Sequence, residues 1–172
     1  YEDTPPAFAH HTDLPQWQQD GADITLVVGE LAGRRSPAAV FSPLVGADIV
    51  ATQACQLTLP IHHDFELGLC IYEGHAELEG ETLKTGELYY LGQGRDTLIL
   101  TLSAGSRIML LGGEPLGQPV LLWWNFVGRD QERLNQAVSD WQQWPNDRFG
   151  EVSAYQGAPL TAPTLDPSVR LK

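Results

Sequence analysis

Cysteine, basic residues and long apolar runs are all scarce in this sequence of 172 residues. It has two cysteines, Cys55 and Cys70, and 10 Lys and Arg against 22 Asp and Glu, which gives a formal net charge of -12. Two cysteines are too few for a disulfide scaffold in a chain of this length, and we interpret both as reduced thiols in the core. The negative charge would repel phosphate backbones, which argues against nucleic acid as a partner.

Membrane and export signals are also absent from the sequence. No apolar run reaches the ~20 residues that a membrane-spanning helix needs, and no basic stretch followed by an apolar one opens the chain. We therefore expect a cytoplasmic protein without a membrane partner. The chain begins with Tyr1 rather than Met, and residues 1–20 resemble a linker, so we expect that further chain precedes it.

What the sequence does contain is alternation of apolar and polar residues from Ile24 to Phe126. Turn residues interrupt this alternation every eight to twelve residues, a spacing typical of short antiparallel strands. The odd positions of residues 55–61 and 67–71 are apolar, so one face of each predicted strand points into a core. The pattern predicts an all-β, jelly-roll-like sandwich.

The apolar period changes near the C-terminus. Leu134, Ala137, Val138, Trp141 and Trp144 follow the spacing of one helix face, which predicts a helix over about residues 130–144. The N-cap expected for it is Asp130, and Pro145 is expected to stop it. We predict a linker at 1–20, one domain at 21–150 and an extended tail at 151–172.

Several motifs, in this order, are similar to the C-terminal half of the pirin family. They are LGGEPLGQPV at 111–120 and WNFV at 124–127 with the predicted helix, preceded by YEG at 72–74, FSPL at 41–44, SP at 36–37 and TPPAFAHH at 4–11. Pirins are two-domain cupins. The resemblance implies an RmlC-like jelly roll, the double-stranded β-helix of cupins, with one C-terminal α-helix. It also implies an N-terminal cupin of the same protein as partner, which would hold an iron-type metal.

The resemblance further implies that this half has lost the cupin metal site. When the hairpin glycine of the cupin pattern is aligned with Gly74, the four ligand positions fall on Ile61, His63, Leu67 and Tyr89. Only His63 is a ligand type, and a single imidazole does not hold a divalent ion. We therefore expect no catalytic residue, metal or other cofactor in this chain. A surface metal site within residues 62–66 is the alternative.

An aromatic cluster supplies a candidate docking surface. Trp123, Trp124 and Phe126 lie beside the predicted helix, and most of their area is expected to pack between the helix and the barrel. Because the resemblance places this segment near the contact between two cupins, we predict that part of it, with Phe8, docks the first cupin. We then expect an isolated chain to expose apolar surface and either to self-associate as a homo-oligomer or to retain a partner.

Three functional hypotheses follow from the sequence. The first is a non-catalytic second cupin that packs against and supports a metal-bearing first cupin. The second is a binding module for a flavonoid-like or apolar small molecule, with His63 and Tyr89 in its pocket. The third is a quercetin 2,3-dioxygenase activity of the kind reported for bacterial pirins, and the ligand positions make it the weakest for this chain alone.

Overall fold

A computed structural model describes residues 4–5, 7–151 and 154–163. These residues form two compact units. The barrel unit comprises residues 9–115, and the helical unit comprises the described parts of residues 1–8 and 116–172. The sequence predicts one domain over 21–150, and the domain boundaries remain a prediction.

The barrel unit consists of eleven strands. In chain order they are β1 Gln16–Gln19, β2 Ala22–Leu31, β3 Arg34–Arg35, β4 Leu44–Ala51, β5 Cys55–Pro60, β6 Glu66–Glu73, β7 Ala76–Leu78, β8 Glu81–Leu83, β9 Leu88–Gly92, β10 Thr97–Leu102 and β11 Arg107–Gly113. The strand β1 therefore lies inside the segment that the sequence assigns to the linker.

These strands form two antiparallel sheets that share one core. The large sheet has the order β1-β2-β4-β11-β6-β9, with β3 paired to β2, and the small sheet has the order β5-β10-β7-β8. Residues from both sheets meet in one cluster of buried side chains, among them Ile24, Ile49, Leu57, Leu69, Leu100 and Ile108. The predicted all-β, two-sheet architecture is confirmed.

Alternation along each strand decides which side chains enter this core. In β6, Leu67, Leu69 and Ile71 are buried, whereas Gly68 and Cys70 are only partly buried. Cys70 is a free thiol on the outward side of the large sheet, so its assignment to the core is wrong. The reason is the two-residue period of a strand, which turns Cys70 away from its two buried neighbours. Cys55 is also free and packs against the core.

The helical unit contains two short strands and one helix. β12 Leu121–Trp123 pairs with β13 Phe126–Gly128, and α1 runs from Gln131 to Gln142. The predicted N-cap is confirmed, because the Asp130 carboxylate accepts a hydrogen bond of 2.8 Å from the Arg133 backbone N–H. The predicted tail at 151–172 lies partly outside the described residues. None of the described helices is long and apolar enough to cross a membrane.

The hairpin that carries the YEG motif is locked against the start of β11. Gly74 has φ of +77°, and a Cβ at this position would lie 2.6 Å from the Ser106 Cα. The fully buried Ser106 hydroxyl accepts from the His75 N–H at 3.0 Å and donates to the His75 carbonyl at 2.7 Å. Close approach and positive φ together explain the glycine at this position.

We expect Gly74→Ala to destabilise the chain more than Gly80→Ala does. Both glycines have positive φ, but nothing lies within 4 Å of a Cβ placed on Gly80. Backbone strain alone costs about 1 kcal/mol in Gly80→Ala, and the clash with Ser106 raises the cost in Gly74→Ala to about 3 kcal/mol. Urea unfolding of both variants measures the difference, and equal losses would contradict this account of the hairpin.

Candidate functional site

The loop between β5 and β6 carries the histidine pair at one end of the barrel unit. It is a turn rather than an extended strand, because the Phe65 N–H donates to the His62 carbonyl at 3.1 Å. The His63 carbonyl accepts a hydrogen bond of 2.9 Å from the Gly94 N–H. This turn interrupts the strand alternation. The sequence pattern therefore does not determine in which direction the His62 and His63 side chains point.

The four positions aligned with cupin ligands do not form a metal-binding set. Ile61 is half-buried against the core, and Leu67 is buried. His63 is exposed, and its Nδ1 lies 3.2 Å from the Asp96 carboxylate. Within the described ranges, no group of three or more His, Cys, Asp and Glu side chains could hold a metal ion. The side chains at these positions therefore do not fit the metal of a cupin.

Tyr89, at the fourth aligned position, is held by its own hairpin. Its hydroxyl accepts from the Lys84 backbone N–H at 2.6 Å and donates to the Glu87 carboxylate at 2.7 Å. The Lys84 N–H has the largest single effect and favours the phenolate, but the hydrogen bond to Glu87, desolvation and the Glu87 charge together outweigh it and raise the pKa of Tyr89. The phenol therefore stays protonated with both hydrogen bonds made locally.

An apolar recess lies beside the loop between β5 and β6. It has a volume of about 660 Å³, and Leu31, Val45, Ile61, Phe65 and Leu67 belong to its lining. A cavity of this size and apolar character suits a small organic molecule. Ile61 and Leu67, at two of the aligned ligand positions, thus place aliphatic side chains in the cavity wall. A metal site would need imidazole and carboxylate groups there.

Polar groups stand at the same recess. Glu30, Arg35, His62 and Glu114 line it, and the Arg35 guanidinium pairs with the Glu30 carboxylate at 3.2 Å. The His62 ring stacks on Phe65 with centroids 4.7 Å apart. An apolar floor with a few polar groups can orient an aromatic ligand by stacking and hydrogen bonding.

The pocket pair predicted from the sequence is not brought together here. Among the described residues, His62 lines the 660 Å³ cavity, whereas His63 and Tyr89 do not. Tyr89 instead lines a separate recess of about 300 Å³ with Glu79 and Arg95. Sequence reasoning missed His62 because the alignment with the cupin pattern selected His63, and the glycine-free segment 61–65 gave little sign of the turn.

Comparison with known proteins identifies the fold and the family. The Pirin C-terminal cupin domain family matches residues 46–149. The chain belongs to the pirin family. It is 45% identical over 163 residues to the Pseudomonas aeruginosa protein named "Putative quercetin 2,3-dioxygenase", covering 95% of this chain and 51% of that protein. A pirin-like protein of Caulobacter vibrioides is 32% identical over 145 residues, with 83% and 49% covered.

A solved structure agrees with the family assignment. The crystal structure of a quercetin 2,3-dioxygenase from Acinetobacter baumannii matches with a TM-score of 0.85 and 38% identity, over 96% of this chain and 55% of that one. The predicted cupin fold is confirmed. The chain spans about half the length of these pirin relatives, which agrees with a two-domain protein that includes an N-terminal cupin.

The aromatic residues predicted to dock the first pirin cupin belong to the helical unit. Phe126 is buried, and Trp124 packs edge-on against it at 5.4 Å. Trp123 is half-buried and its indole N–H donates to the Pro163 carbonyl at 3.4 Å, whereas Phe8 is 93% exposed. Much of the aromatic area is thus used within the unit, and a docking role for these four residues stays a prediction.

We expect His63→Ala to leave metal retention by this pirin chain unchanged. His63 faces Asp96 rather than a set of converging ligands, so its removal takes away no binding site. His75→Ala is the matched control, because His75 is similarly exposed and pairs with Glu77 at 3.3 Å. Elemental analysis after dialysis against iron, nickel or zinc gives the readout. One ion per chain, lost only in His63→Ala, would contradict the expectation.

Proposed function

We propose that this chain is the non-catalytic second cupin of a two-cupin pirin and that it packs against and supports a metal-bearing first cupin. The observation that carries the proposal is the replacement of metal ligands by wall residues. Leu67 is buried in the core, and Ile61 packs against it. A metal centre at this barrel end would require at least three converging ligand side chains.

The remaining ligand-type residue does not support chemistry at this position. His63 is bound to the exposed Asp96 carboxylate, and Tyr89 is bound to Lys84 and Glu87. His63 therefore has its partner on the loop between β9 and β10, and Tyr89 has both partners in the turn that precedes β9. An iron-type metal and the quercetin 2,3-dioxygenase activity in the names of the relatives belong, in this proposal, to the first cupin.

Separate expression of the two halves tests the proposal. We expect the full two-cupin protein and the first cupin alone to retain metal, and this chain alone to retain much less than one ion. The first cupin alone should unfold at a lower temperature and turn over quercetin more slowly, because it has lost the packing surface of the second. Addition of this chain at millimolar concentration, which matches the effective concentration that the linker provides, should restore part of both losses.

The full-length His63→Ala variant completes the experiment, with His75→Ala as its control. Quercetin turnover within about twofold of the wild type in both variants supports a structural role. Turnover of quercetin by this chain alone, or loss of full-length activity in His63→Ala only, would contradict the proposal.

A second candidate function rests on the 660 Å³ cavity, which favours binding of an apolar aromatic molecule. Its apolar floor and the stacked pair of His62 and Phe65 suit a planar ligand such as a flavonol. This site would bind the molecule without a metal and is compatible with the supporting role. The binding residues would be His62 and the cavity wall rather than His63 and Tyr89.

We expect Ala38→Trp to weaken quercetin binding at least tenfold if the cavity is a binding site. Ala38 lines the cavity, so an indole there would occupy space that the ligand needs. Ala104→Trp adds the same side chain at an exposed turn between β10 and β11 and serves as control. Titration calorimetry measures the affinity, and equal affinities in the two variants would exclude this cavity as the site.

A further inference from the structure

The outward side of the large sheet carries an apolar surface that extends over five adjacent strands, β2, β4, β11, β6 and β9. In β11, Met109 and Leu111 face outward and alternate with the buried Ile108 and Leu110. In β9, Leu88 and Tyr90 are 66% and 70% exposed. An antiparallel sheet with one face on the core usually turns polar side chains outward on the other face. We call the apolar surface the outer patch; it comprises Val28, Gly46, Gly68, Cys70, Leu88, Tyr90, Met109 and Leu111.

Strand register joins these residues into two adjacent rows. Gly68 of β6 lies between Leu111 of β11 and Tyr90 of β9. In the next row Cys70 lies between Met109 and Leu88. Residues directly opposite in an antiparallel pair have Cα atoms about 5 Å apart, so each row runs without a break across β11, β6 and β9.

Glycines keep the outer patch flat. A Cβ on Gly68 would lie 3.3 Å from the Leu88 Cδ1, and a Cβ on Gly46 would lie 2.8 Å from the Val28 Cγ1. The Leu88 and Val28 side chains therefore cover the space that a side chain at position 68 or 46 would occupy. A flat apolar surface allows close approach of another folded domain.

Polar pairs border the outer patch along the strands. The Arg107 guanidinium binds the Asp48 carboxylate through two hydrogen bonds of 2.9 and 3.0 Å. At the other end, the Tyr90 hydroxyl donates to the Glu66 carboxylate at 3.0 Å, which raises the pKa of Tyr90. An apolar centre within a polar rim is the usual composition of a protein interface.

The area of the outer patch restricts which kind of partner can bind to it. Five strands at about 4.8 Å spacing and a few residues along each give an area on the order of 200–300 Å². A stable complex of separate chains needs about 800 Å² on each partner. A domain joined by a linker acts at millimolar effective concentration and needs much less. The pirin relatives have about as much chain again as this one, which supplies such a tethered domain.

We propose that the first cupin of the two-cupin protein docks on the outer patch. This proposal rests on the proposed function above and names the surface through which the support acts. Leu88, Tyr90 and Leu111 become covered in the two-cupin protein, and Cys70 between them becomes inaccessible. The outer patch is distinct from the aromatic residues Trp123, Trp124 and Phe126.

Thiol labelling of Cys70 tests the proposal. This chain alone and the full two-cupin protein are treated with iodoacetamide, and the modified peptides are quantified by mass spectrometry. We expect labelling of Cys70 to slow at least tenfold in the two-cupin protein. Cys55, on the small sheet, is the internal reference and should label at the same rate in both. Equal labelling rates for Cys70 in the two proteins would overturn the proposal.

Two matched variants extend the test to the full-length protein. Leu88→Glu places a charge in the outer patch and should restore rapid Cys70 labelling. Ile99→Glu changes a residue that is 48% exposed on the small sheet and should leave Cys70 protected. Equal Cys70 rates in the two variants would also overturn the proposal. Circular dichroism of each variant chain checks that it is folded. The comparison of Cys70 labelling between the two wild-type proteins does not depend on these variants.

Cleavage of the linker separates failure of this proposal from failure of the proposed function. If the cleaved halves stay together while Cys70 labels rapidly, the first cupin docks elsewhere and only the present proposal is wrong. If the halves separate and the first keeps its metal and full activity, the supporting role itself is wrong. Cys70 protection that grows with the concentration of this chain alone would make a second copy the occupant and overturn the proposal.

Discussion

The two-residue period of the strands is the constraint on which the rest of this structure depends. It places Leu67, Leu69 and Ile71 in the core and, by the same geometry, Gly68 and Cys70 on the opposite side of the sheet. The inner residues of two sheets fill one core, so a register shift of one residue would expose all of them. Core and outer patch are therefore consequences of a single register.

The predictions from sequence succeeded where that period, or the helical one, held without interruption. The strands and the Asp130 cap were predicted from local sequence patterns, and the structure contains both. It also has the predicted two-sheet architecture. Cys70 was misplaced although the alternation that turns it outward was visible, because the tendency of cysteine to be buried was given more weight. The separate cluster around Phe126 and Leu134 could not be inferred, since periodicity identifies an apolar face but not what it packs against.

Only part of the candidate site could be predicted from the sequence, because the rest depends on the conformation of the loop between β5 and β6. That Leu67 and Ile61 fall on positions aligned with cupin ligands follows from the sequence alone. Which of His62 and His63 faces the cavity depends on a turn held by backbone hydrogen bonds from Phe65 and Gly94, and such bonds carry almost no side-chain signal. The conformation of this loop, and not the alternation along the strands, thus determines which histidine faces the cavity.

Loss of a metal site and retention of the barrel are physically compatible, because a ligand set contributes little to the packing of a cupin core. Replacement of an imidazole or carboxylate by Leu67 removes the need to satisfy a buried polar group and adds apolar contact. The same replacement leaves the other face of β6 unchanged, since Gly68 and Cys70 point away from it. Under the proposed function, an outward docking surface can therefore persist without inward metal chemistry, because the two lie on opposite faces of the same strand.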